Sequence, residues 1–334
     1  MITPIDFALG TFATDEGDIF GGLVHGSNVT PLREIDDLPD SVDAVLADWS
    51  RSEELLRSLA AGVSGDRDVQ LSELRTQTPF TPRQVYCAGA NYREHVLQIL
   101  ERGLPDSAPP EEVRRQGIIK LEERVCTGKP YVFVHSTAGV CGPYDEVVLP
   151  ARSQQHDWEG ELGVVIGRTG YQVPADEASQ IIAGYTIAND LTMRDFIYRP
   201  DIPTMRSDFL AAKHGRAFFP VGPFFVPASA VADPEHLRIT LRVNGAVMQD
   251  ELTSDMLFGV PRLIEYVSSL TELRPGDLLL TGSPAGNAAH HGRFLQPGDV
   301  IDLEITGLGA QRNACVAEEA PPATLRPVLP GAAA

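Results

Sequence analysis

The segment HDWEGELGVVIG, residues 156–167, decides the fold prediction. Most of it is apolar enough for a buried strand, yet it also carries Glu159 and Glu161. Because alternate side chains of an extended strand point to the same face, these two carboxylates lie side by side. Two like charges on one face repel each other unless a positive charge lies between them. The segment therefore predicts a cation between the carboxylates, or else a strand face that water solvates.

A second acidic position ends another apolar run. In IANDLTMRD, residues 187–195, Asp190 follows the predicted strand at an expected sheet edge. Three carboxylates from two strands would then converge on one point, and an all-oxygen ligand set prefers Mg²⁺, Mn²⁺ or Ca²⁺ to Zn²⁺. In the alternative interpretation, Glu159 and Glu161 lie on a solvated face and Asp190 caps a turn. These residues by themselves leave both interpretations open.

The charge and composition of the chain argue against several classes of partner and against a membrane protein. The chain of 334 residues has 46 acidic and 27 basic residues, a net charge of -19. This charge repels nucleic acids and anionic membrane surfaces, so we expect neither as a partner. No apolar run reaches the ~18 residues of a membrane span, and the first residues lack a signal-peptide pattern, so we expect a cytoplasmic location. The four cysteines have no metal-ligand spacing, which predicts buried free thiols.

The order of predicted elements indicates an α+β protein. Residues 1–80 predict a small N-terminal domain with the short strands FALGTFA and FGGLVHG and a helix over residues 41–61. Residues 81–320 are rich in strands with a few isolated helices, which favours a body of mixed sheets, rolled or closed into a barrel. The tail, residues 321–334, is rich in Pro and Ala and is expected to be loose.

Three more positions could take part in catalysis or binding, and each also has a purely structural interpretation. Lys213 precedes a predicted strand and could pair with the carboxylates, or it could be a surface lysine. The loop TGSPAG, residues 281–286, could cradle an anion with its backbone N–H groups, or it could be a tight turn. His95, near the start of a predicted helix, could act in catalysis or only in packing.

Taken in order, the segments GANYREH, DWEGE, AND, AAK, TGSPAG and GLG resemble the fumarylacetoacetate hydrolase (FAH) family, and the resemblance covers residues 85–315. It implies a rolled mixed β-sheet or barrel catalytic domain with a smaller N-terminal domain, assembled as a homodimer. It also implies a divalent metal, Mg²⁺ or Mn²⁺ with Ca²⁺ as a further candidate. By motif match the metal ligands are Glu159, Glu161 and Asp190.

The same resemblance implies roles for residues around the metal. His95 matches the histidine that activates water, and Lys213 matches the lysine that orients the substrate's oxyanion. Ser283 stands where a threonine is more usual and is expected to contact the substrate carboxylate. The full set of expected substrate-binding residues is Tyr92, Arg194, Arg216 and Ser283.

The implied activity is hydrolysis of a C–C bond in a β-diketone or acylpyruvate-like 2-oxo acid, through an enolate that the metal stabilises. Some members of the family decarboxylate, isomerise or hydrate 2-oxo acids instead, and these reactions are the alternative within enzymes. A metal-dependent small-molecule binding protein that has lost turnover is the non-enzymatic alternative.

One departure from the family pattern bears on the reaction. Where relatives with a His–Glu dyad carry the glutamate, three residues after His95, this chain has Gln98. A neutral amide can orient the imidazole, but it cannot stabilise the imidazolium that forms when the histidine accepts a proton. This departure favours the lyase and isomerase alternatives, unless another carboxylate of the segment supplies the role.

Other departures bear on the substrate. His135 and Ser136 stand where relatives carry Lys-Pro, which removes a cation near the expected pocket rim. His214 and Arg216 stand in place of a Ser-Phe-Asp run, and Arg216 could pair with a substrate carboxylate or with acids of the protein. The charged, proline-containing stretch over residues 94–129 predicts a lid that orders over the metal when substrate binds.

Overall fold

A computed structural model describes residues 5–59, 68–102 and 109–319. The predicted loose tail and the last residues of the predicted helix over 41–61 lie outside the described residues. The same holds for residues 103–108, in the middle of the stretch that we expect to act as a lid.

The N-terminal part contains five strands and two helices. The strands are β1 Ile5–Ala13, β2 Ile19–Gly26, β3 Asn28–Pro31, β4 Val69–Gln70 and β5 Arg75–Thr76. They form one sheet in the order β4-β3-β2-β1-β5. The single predicted helix is two helices, α1 Val42–Ala47 and α2 Trp49–Leu59, because the backbone of Asp48 leaves helical geometry between them. The Ser41 side chain accepts a hydrogen bond from the Ala44 N–H and so caps the start of α1.

The first half of the body alternates short strands with three helices. In chain order these elements are β6 Val85–Gly89, α3 Arg93–Arg102, α4 Pro110–Thr127, β7 Tyr131–His135, β8 Val140–Cys141, β9 Val147–Leu149, β10 His156–Asp157, β11 Gly160–Ile166, β12 Ile182–Asn189, β13 Thr192–Met193 and α5 Phe209–Lys213. The segment after Pro174 is a 3₁₀ helix over Ala175–Ile181.

The second half completes the sheets. Its elements are β14 Phe219–Pro220, β15 Val226–Pro227, β16 Arg238–Val243, β17 Ala246–Leu252, α6 Val260–Leu270, β18 Leu278–Leu280, α7 Ala288–His291, β19 Val300–Ile305 and β20 Gly309–Ala317. A six-stranded sheet has the order β15-β12-β11-β18-β6-β7, and a five-stranded sheet has the order β17-β16-β19-β20-β9. The pairs β6–β18 and β9–β20 are parallel and the other pairs of these two sheets are antiparallel, so both sheets are mixed, as expected.

Strand pairing brings the acidic positions together. β11 is buried along its whole length and pairs with β12 on one side and β18 on the other. Because Gly160 lies opposite Asn189, the residues just outside this pair, Glu159 and Asp190, are neighbours. The Asp190 N–H donates to the Glu159 carbonyl oxygen over 2.9 Å. The interpretation of Glu159 and Glu161 as residues of a solvated face is therefore wrong.

The N-terminal sheet and the body pack together, since each of the two hydrophobic clusters contains residues of both. The rings of Trp49 and Phe225 pack edge to face with 5.5 Å between centroids. Leu9 and Phe225 exchange two backbone hydrogen bonds, each 2.8 Å long. A Cβ atom on Gly167, just beyond β11, would lie 2.3 Å from Cδ1 of Trp49, so the indole occupies the space that a side chain would need. The domain boundary at residue 80 stays a prediction.

Three of the four cysteines are buried as expected, namely Cys87, Cys141 and Cys315. The prediction is wrong for Cys126, which is exposed on α4. In the described part of the chain, no helix combines the length and the apolar character that a membrane span requires.

We expect Gly167→Ala to lower the free energy of unfolding by about 1–3 kcal/mol, because the added methyl group overpacks the core against Trp49. In a Trp49→Ala background the methyl group has room, so its cost falls close to zero. Urea denaturation of the four proteins measures both values. Equal costs in the two backgrounds would show that the methyl group meets something other than the indole.

Candidate active site

The three predicted metal ligands form one buried cluster. Glu159, Glu161 and Asp190 each offer a carboxylate oxygen, and these oxygens all lie within 4.8 Å of one another. Glu159 and Glu161 flank the start of β11, while Asp190 follows β12. The pairing of these two strands therefore brings together the carboxylates that the sequence predicts.

Lys213 bridges two of these carboxylates. Its ammonium group donates to Oε2 of Glu159 over 2.6 Å and also to Oδ2 of Asp190. Lys213 ends α5 and is only 4% exposed, so the interpretation as a surface lysine is wrong. Burial opposes the charge of the ammonium group, but Asp190 and Glu159 outweigh burial and raise the pKa of Lys213. The lysine is therefore held as a cation among the carboxylates.

Arg194 supplies the second cation. Its guanidinium donates to Oδ2 of Asp157 over 2.6 Å and to Oε1 of Glu159 over 2.5 Å. Asp157 is fully buried and also accepts a hydrogen bond from the Ala288 N–H. The expected contact between Arg194 and substrate stays a prediction. In this structure the arginine pairs with acids of the protein.

The cluster contains oxygens that the protein leaves unused. Glu159 is well supplied, since Thr192 Oγ1 and Asn287 Nδ2 also donate to it. Oδ1 of Asp190, by contrast, is buried without a hydrogen bond, and Nε2 of His135 lies 3.5 Å from it. Glu161 accepts one backbone hydrogen bond, from Gly282. Unused buried oxygens on two adjacent carboxylates are what a cation would take up.

The net charge of the cluster also favours a bound cation. The buried carboxylates of Asp157, Glu159, Glu161 and Asp190 face two buried or half-buried cations, Arg194 and Lys213, so the ionised cluster carries two negative charges in excess. Burial, and next the charge of Asp190, raise the pKa of Glu161 well above its usual value, which shows that its negative charge lacks compensation. A divalent cation would supply the missing charge, and an all-oxygen donor set fits Mg²⁺, Mn²⁺ or Ca²⁺.

The cluster lies on the wall of a pocket of about 170 Å³. Beside the carboxylates, its walls contain both cations, a histidine, a serine and a group of apolar residues. The lining residues are Ala88, Gly89, Ala90, His95, Ile99, Tyr131, Phe133, Glu159, Glu161, Asp190, Arg194, Ile197, Phe209, Lys213 and Ser283. A small molecule in this pocket would touch both the charges and the apolar groups.

His95 reaches the pocket as an uncharged, poorly paired imidazole. Burial lowers its pKa to about 4, although the nearby Glu159 acts in the opposite direction. Nδ1 is buried without a hydrogen-bond partner among the described residues. The histidine is therefore neutral at physiological pH, and its ring is not held by an acid.

Gln98 does not orient this imidazole. Its side-chain oxygen accepts a hydrogen bond from the Gly286 N–H over 3.0 Å, so it supports the TGSPAG loop instead. Two of the carboxylates that could have replaced the dyad glutamate are also engaged elsewhere, since Glu94 and Glu101 both bind Arg114 of α4. The described residues thus offer His95 no acidic hydrogen-bond partner.

The other predicted contacts divide into one that reaches the pocket and two that do not. Ser283 lines the pocket, and its Oγ accepts a hydrogen bond from Gln249 over 2.8 Å. Tyr92 is wholly buried in the hydrophobic core and does not line the pocket, because its ring packs into the body beneath α3. Arg216 is exposed and also lies outside the pocket lining. The substrate contacts expected of Tyr92 and Arg216 stay predictions.

Of the two residues that replace the family's Lys-Pro pair, His135 is buried and Ser136 is exposed. His135 is buried, and its Nε2 is 3.0 Å from the Lys213 carbonyl oxygen. The ring of His214 lies 4.4 Å from that of His135, and its Nε2 accepts a hydrogen bond from the Ser136 N–H. These side chains support α5 from behind Lys213.

Acid should destabilise the metal-free protein in part through His95. Because the folded pKa of His95 is about 4, below its usual 6.5, the unfolded chain binds a proton that the folded chain refuses between these pH values. Stability from this group is complete above pH 6.5 and decreases as pH falls, by about 3 kcal/mol in total.

We expect His95→Gln to remove this contribution, so that its unfolding free energy depends less on pH between 6.5 and 4 than that of the parent. Urea denaturation in the presence of a chelator measures both slopes. Parallel slopes for the two proteins would contradict a buried, uncharged His95.

The chain is similar to known proteins both in sequence and in fold. The chain is 37% identical over 248 residues to oxaloacetate tautomerase FAHD2B, mitochondrial, of Homo sapiens, a match that covers 73% of this chain and 70% of the relative. The structure of fumarylacetoacetate hydrolase from Exiguobacterium antarcticum has a TM-score of 0.71 and 28% identity, covering 93% of this chain and 100% of that one.

A third protein, maleylpyruvate hydrolase from Sphingobium sp. SYK-6, was solved in complex with manganese(II) and pyruvate. It has a TM-score of 0.68 and 23% identity, covering 93% of this chain and 100% of that one, and at this identity the likeness shows the fold alone. The α+β fold expected from the resemblance is thus confirmed. Residues 84–316 match the family model described as fumarylacetoacetate (FAA) hydrolase C-terminal, and the chain belongs to this family.

Proposed function

We propose that this chain is a divalent-metal-dependent enzyme that interconverts the keto and enol forms of a 2-oxo acid. The observation that carries the proposal is the neutral His95 without an acidic partner, in one pocket with the carboxylate cluster and Lys213. The relative from Homo sapiens is named as an oxaloacetate tautomerase, which supports the same class of reaction.

We also propose that the chain forms a homodimer, as the family resemblance implies. We keep the cytoplasm as the proposed location, although that relative is named as mitochondrial.

Glu159, Glu161 and Asp190 would each offer a carboxylate oxygen to the cation, Mg²⁺ or Mn²⁺. When bound, the cation draws electron density from the ketone oxygen of a 2-oxo acid and so acidifies the neighbouring C–H bond. Removal of this proton from carbon needs no activated water, and the nearby Glu159 would favour the imidazolium that forms.

His95 is the base in the proposed reaction. It accepts the proton from the carbon next to the ketone, the C–H electron pair becomes the C=C bond, and the C=O electron pair moves onto the ketone oxygen. This oxygen then takes a proton from solvent, and His95 returns its own proton to solvent. Lys213, whose ammonium group lies between Glu159 and Asp190, stabilises the negative charge that develops next to the cluster. Ser283 and the backbone of its loop position the acid's carboxylate.

Hydrolysis of a C–C bond in a β-diketone or acylpyruvate-like acid is the second candidate. The structural likeness to fumarylacetoacetate hydrolase at 28% identity favours it. In this reaction a water oxygen bonds to a carbonyl carbon, the C–C bond breaks, and its electron pair remains on the enolate of the leaving acid. His95 would have to take the water's proton, and an imidazole without an acidic partner does this less readily.

The test is product identification. We expect the purified chain with Mg²⁺ or Mn²⁺ to accelerate the loss of enol absorbance of oxaloacetate with no change in composition, and a chelator to abolish the effect. His95→Asn should lower kcat by about 10²- to 10⁴-fold. Two acids released from an acylpyruvate would favour the hydrolase, released CO₂ a decarboxylase, and tight binding without any reaction a binding protein.

The proposed ligand set is tested by metal binding alone. Glu161→Ala should weaken Mn²⁺ binding by more than the about 10- to 100-fold that is typical of residues that only support a ligand. Glu122→Ala, an exposed glutamate on α4, is the matched control and should bind as the parent does. Calorimetric titration measures both, and parental affinity of Glu161→Ala would refute the assignment.

A further inference from the structure

One wall of the pocket is aromatic, and the proposed reaction does not use it. Tyr131 and Phe133 come from β7, and Phe209 comes from the start of α5. The rings of Phe133 and Phe209 are stacked, with 4.2 Å between centroids and 9° between planes, and the Tyr131 ring lies 6.0 Å from that of Phe209. Two isoleucines, Ile99 and Ile197, also line this pocket.

The backbone holds this wall in place. Tyr131 and Phe133 are two residues apart on β7, so they share one face of the sheet. Tyr131 lies opposite Gly89 of β6, where a Cβ atom would be 2.9 Å from Cδ1 of the tyrosine ring. Glycine at this position lets the ring lie close to the sheet. The wall is therefore built into the paired strands.

The wall begins next to the charge cluster. The Lys213 ammonium group lies 5.4 Å from the centroid of Phe133. Phe209 and Lys213 are four residues apart on α5 and so lie on one side of that helix. A 2-oxo acid held at the cluster would therefore have the substituent on its reacting carbon against the rings.

The charges of the pocket disfavour a second carboxylate there. Arg194 and Lys213, the cations among the described lining residues, are each bonded to two carboxylates of the protein. With a divalent cation bound, the cluster is balanced, and the first carboxylate of a substrate already adds a negative charge. A second carboxylate would lie against the Phe133 and Phe209 rings, which offer it no hydrogen bond. A flat apolar group would instead gain contact area and stacking.

We propose that Tyr131, Phe133 and Phe209 form a subsite for an aromatic substituent, so that the chain prefers aryl 2-oxo acids with one carboxylate to dicarboxylates such as oxaloacetate. This inference rests on the proposed function, because it names the substrate class of the same pocket.

Two substrates that differ only in the substituent test the preference. Phenylpyruvate and oxaloacetate share the 2-oxo acid and its reacting CH₂ group, and one carries a phenyl ring where the other carries a carboxylate. We expect kcat/KM for keto–enol conversion to be higher for phenylpyruvate by about 10-fold or more. Phe133→Ala and the milder Phe209→Leu should each reduce this ratio, while Tyr171→Ala, an exposed aromatic residue outside the pocket, should leave it unchanged.

A binding measurement separates the subsite from the reaction. Oxamate and N-phenyloxamate do not enolise, and we expect the metal-loaded protein to bind the phenyl compound about 10-fold more tightly or better, with the preference lost in Phe133→Ala. Equal or tighter binding of oxamate, together with tautomerase activity, would overturn the subsite and leave the proposed function standing. Binding of neither compound and no conversion of either acid would overturn both.

Discussion

The structure depends on negative charge that is buried at the end of a central strand. Asp157, Glu159 and Glu161 follow one another at alternate positions along the segment that enters β11, and Asp190 adds a fourth carboxylate from β12. Isolated buried carboxylates cost several kcal/mol each unless they are paired. Arg194 and Lys213 pair with part of this charge, and a divalent cation would balance the remainder.

Lys213 links this charge to the shape of the pocket, because α5 presents two different groups from one helix. At its end the ammonium group binds Glu159 and Asp190, and one turn earlier Phe209 stacks on Phe133. A shift of α5 would disturb both contacts together. The buried His135 also contacts this helix, since its Nε2 lies 3.0 Å from the Lys213 carbonyl oxygen and its ring lies 4.4 Å from that of His214.

The sequence predicted the parts of the site that local pattern controls. The pair of Glu159 and Glu161 could be predicted because strand side chains alternate between two faces. Asp157, two residues earlier, follows the same pattern, but it was not predicted to belong to the site. Asn287 had no such signal. The stacked pair of Phe133 and Phe209 joins residues that are far apart in the chain, so only the tertiary arrangement of β7 and α5 reveals it.

The local sequence pattern was misleading where a side chain could bind either of two partners. Gln98 matches a dyad position by spacing, yet it supports Gly286, because the packing of α3 directs it toward the loop. Arg194 pairs with two acids of the protein, while its expected contact with substrate stays a prediction. The predicted helix over residues 41–61 is interrupted at Asp48, and helix propensity alone does not predict this interruption.

The contact between Leu9 and Phe225 has a further consequence for the molecule as a whole. β15, the strand next to Phe225, is an outer strand of the six-stranded sheet, and β1 covers the backbone groups at that point. Unpaired strand edges are templates for association with other chains. The N-terminal sheet thus acts as an edge cap, and a shortened chain that began after it would self-associate through the surface so uncovered.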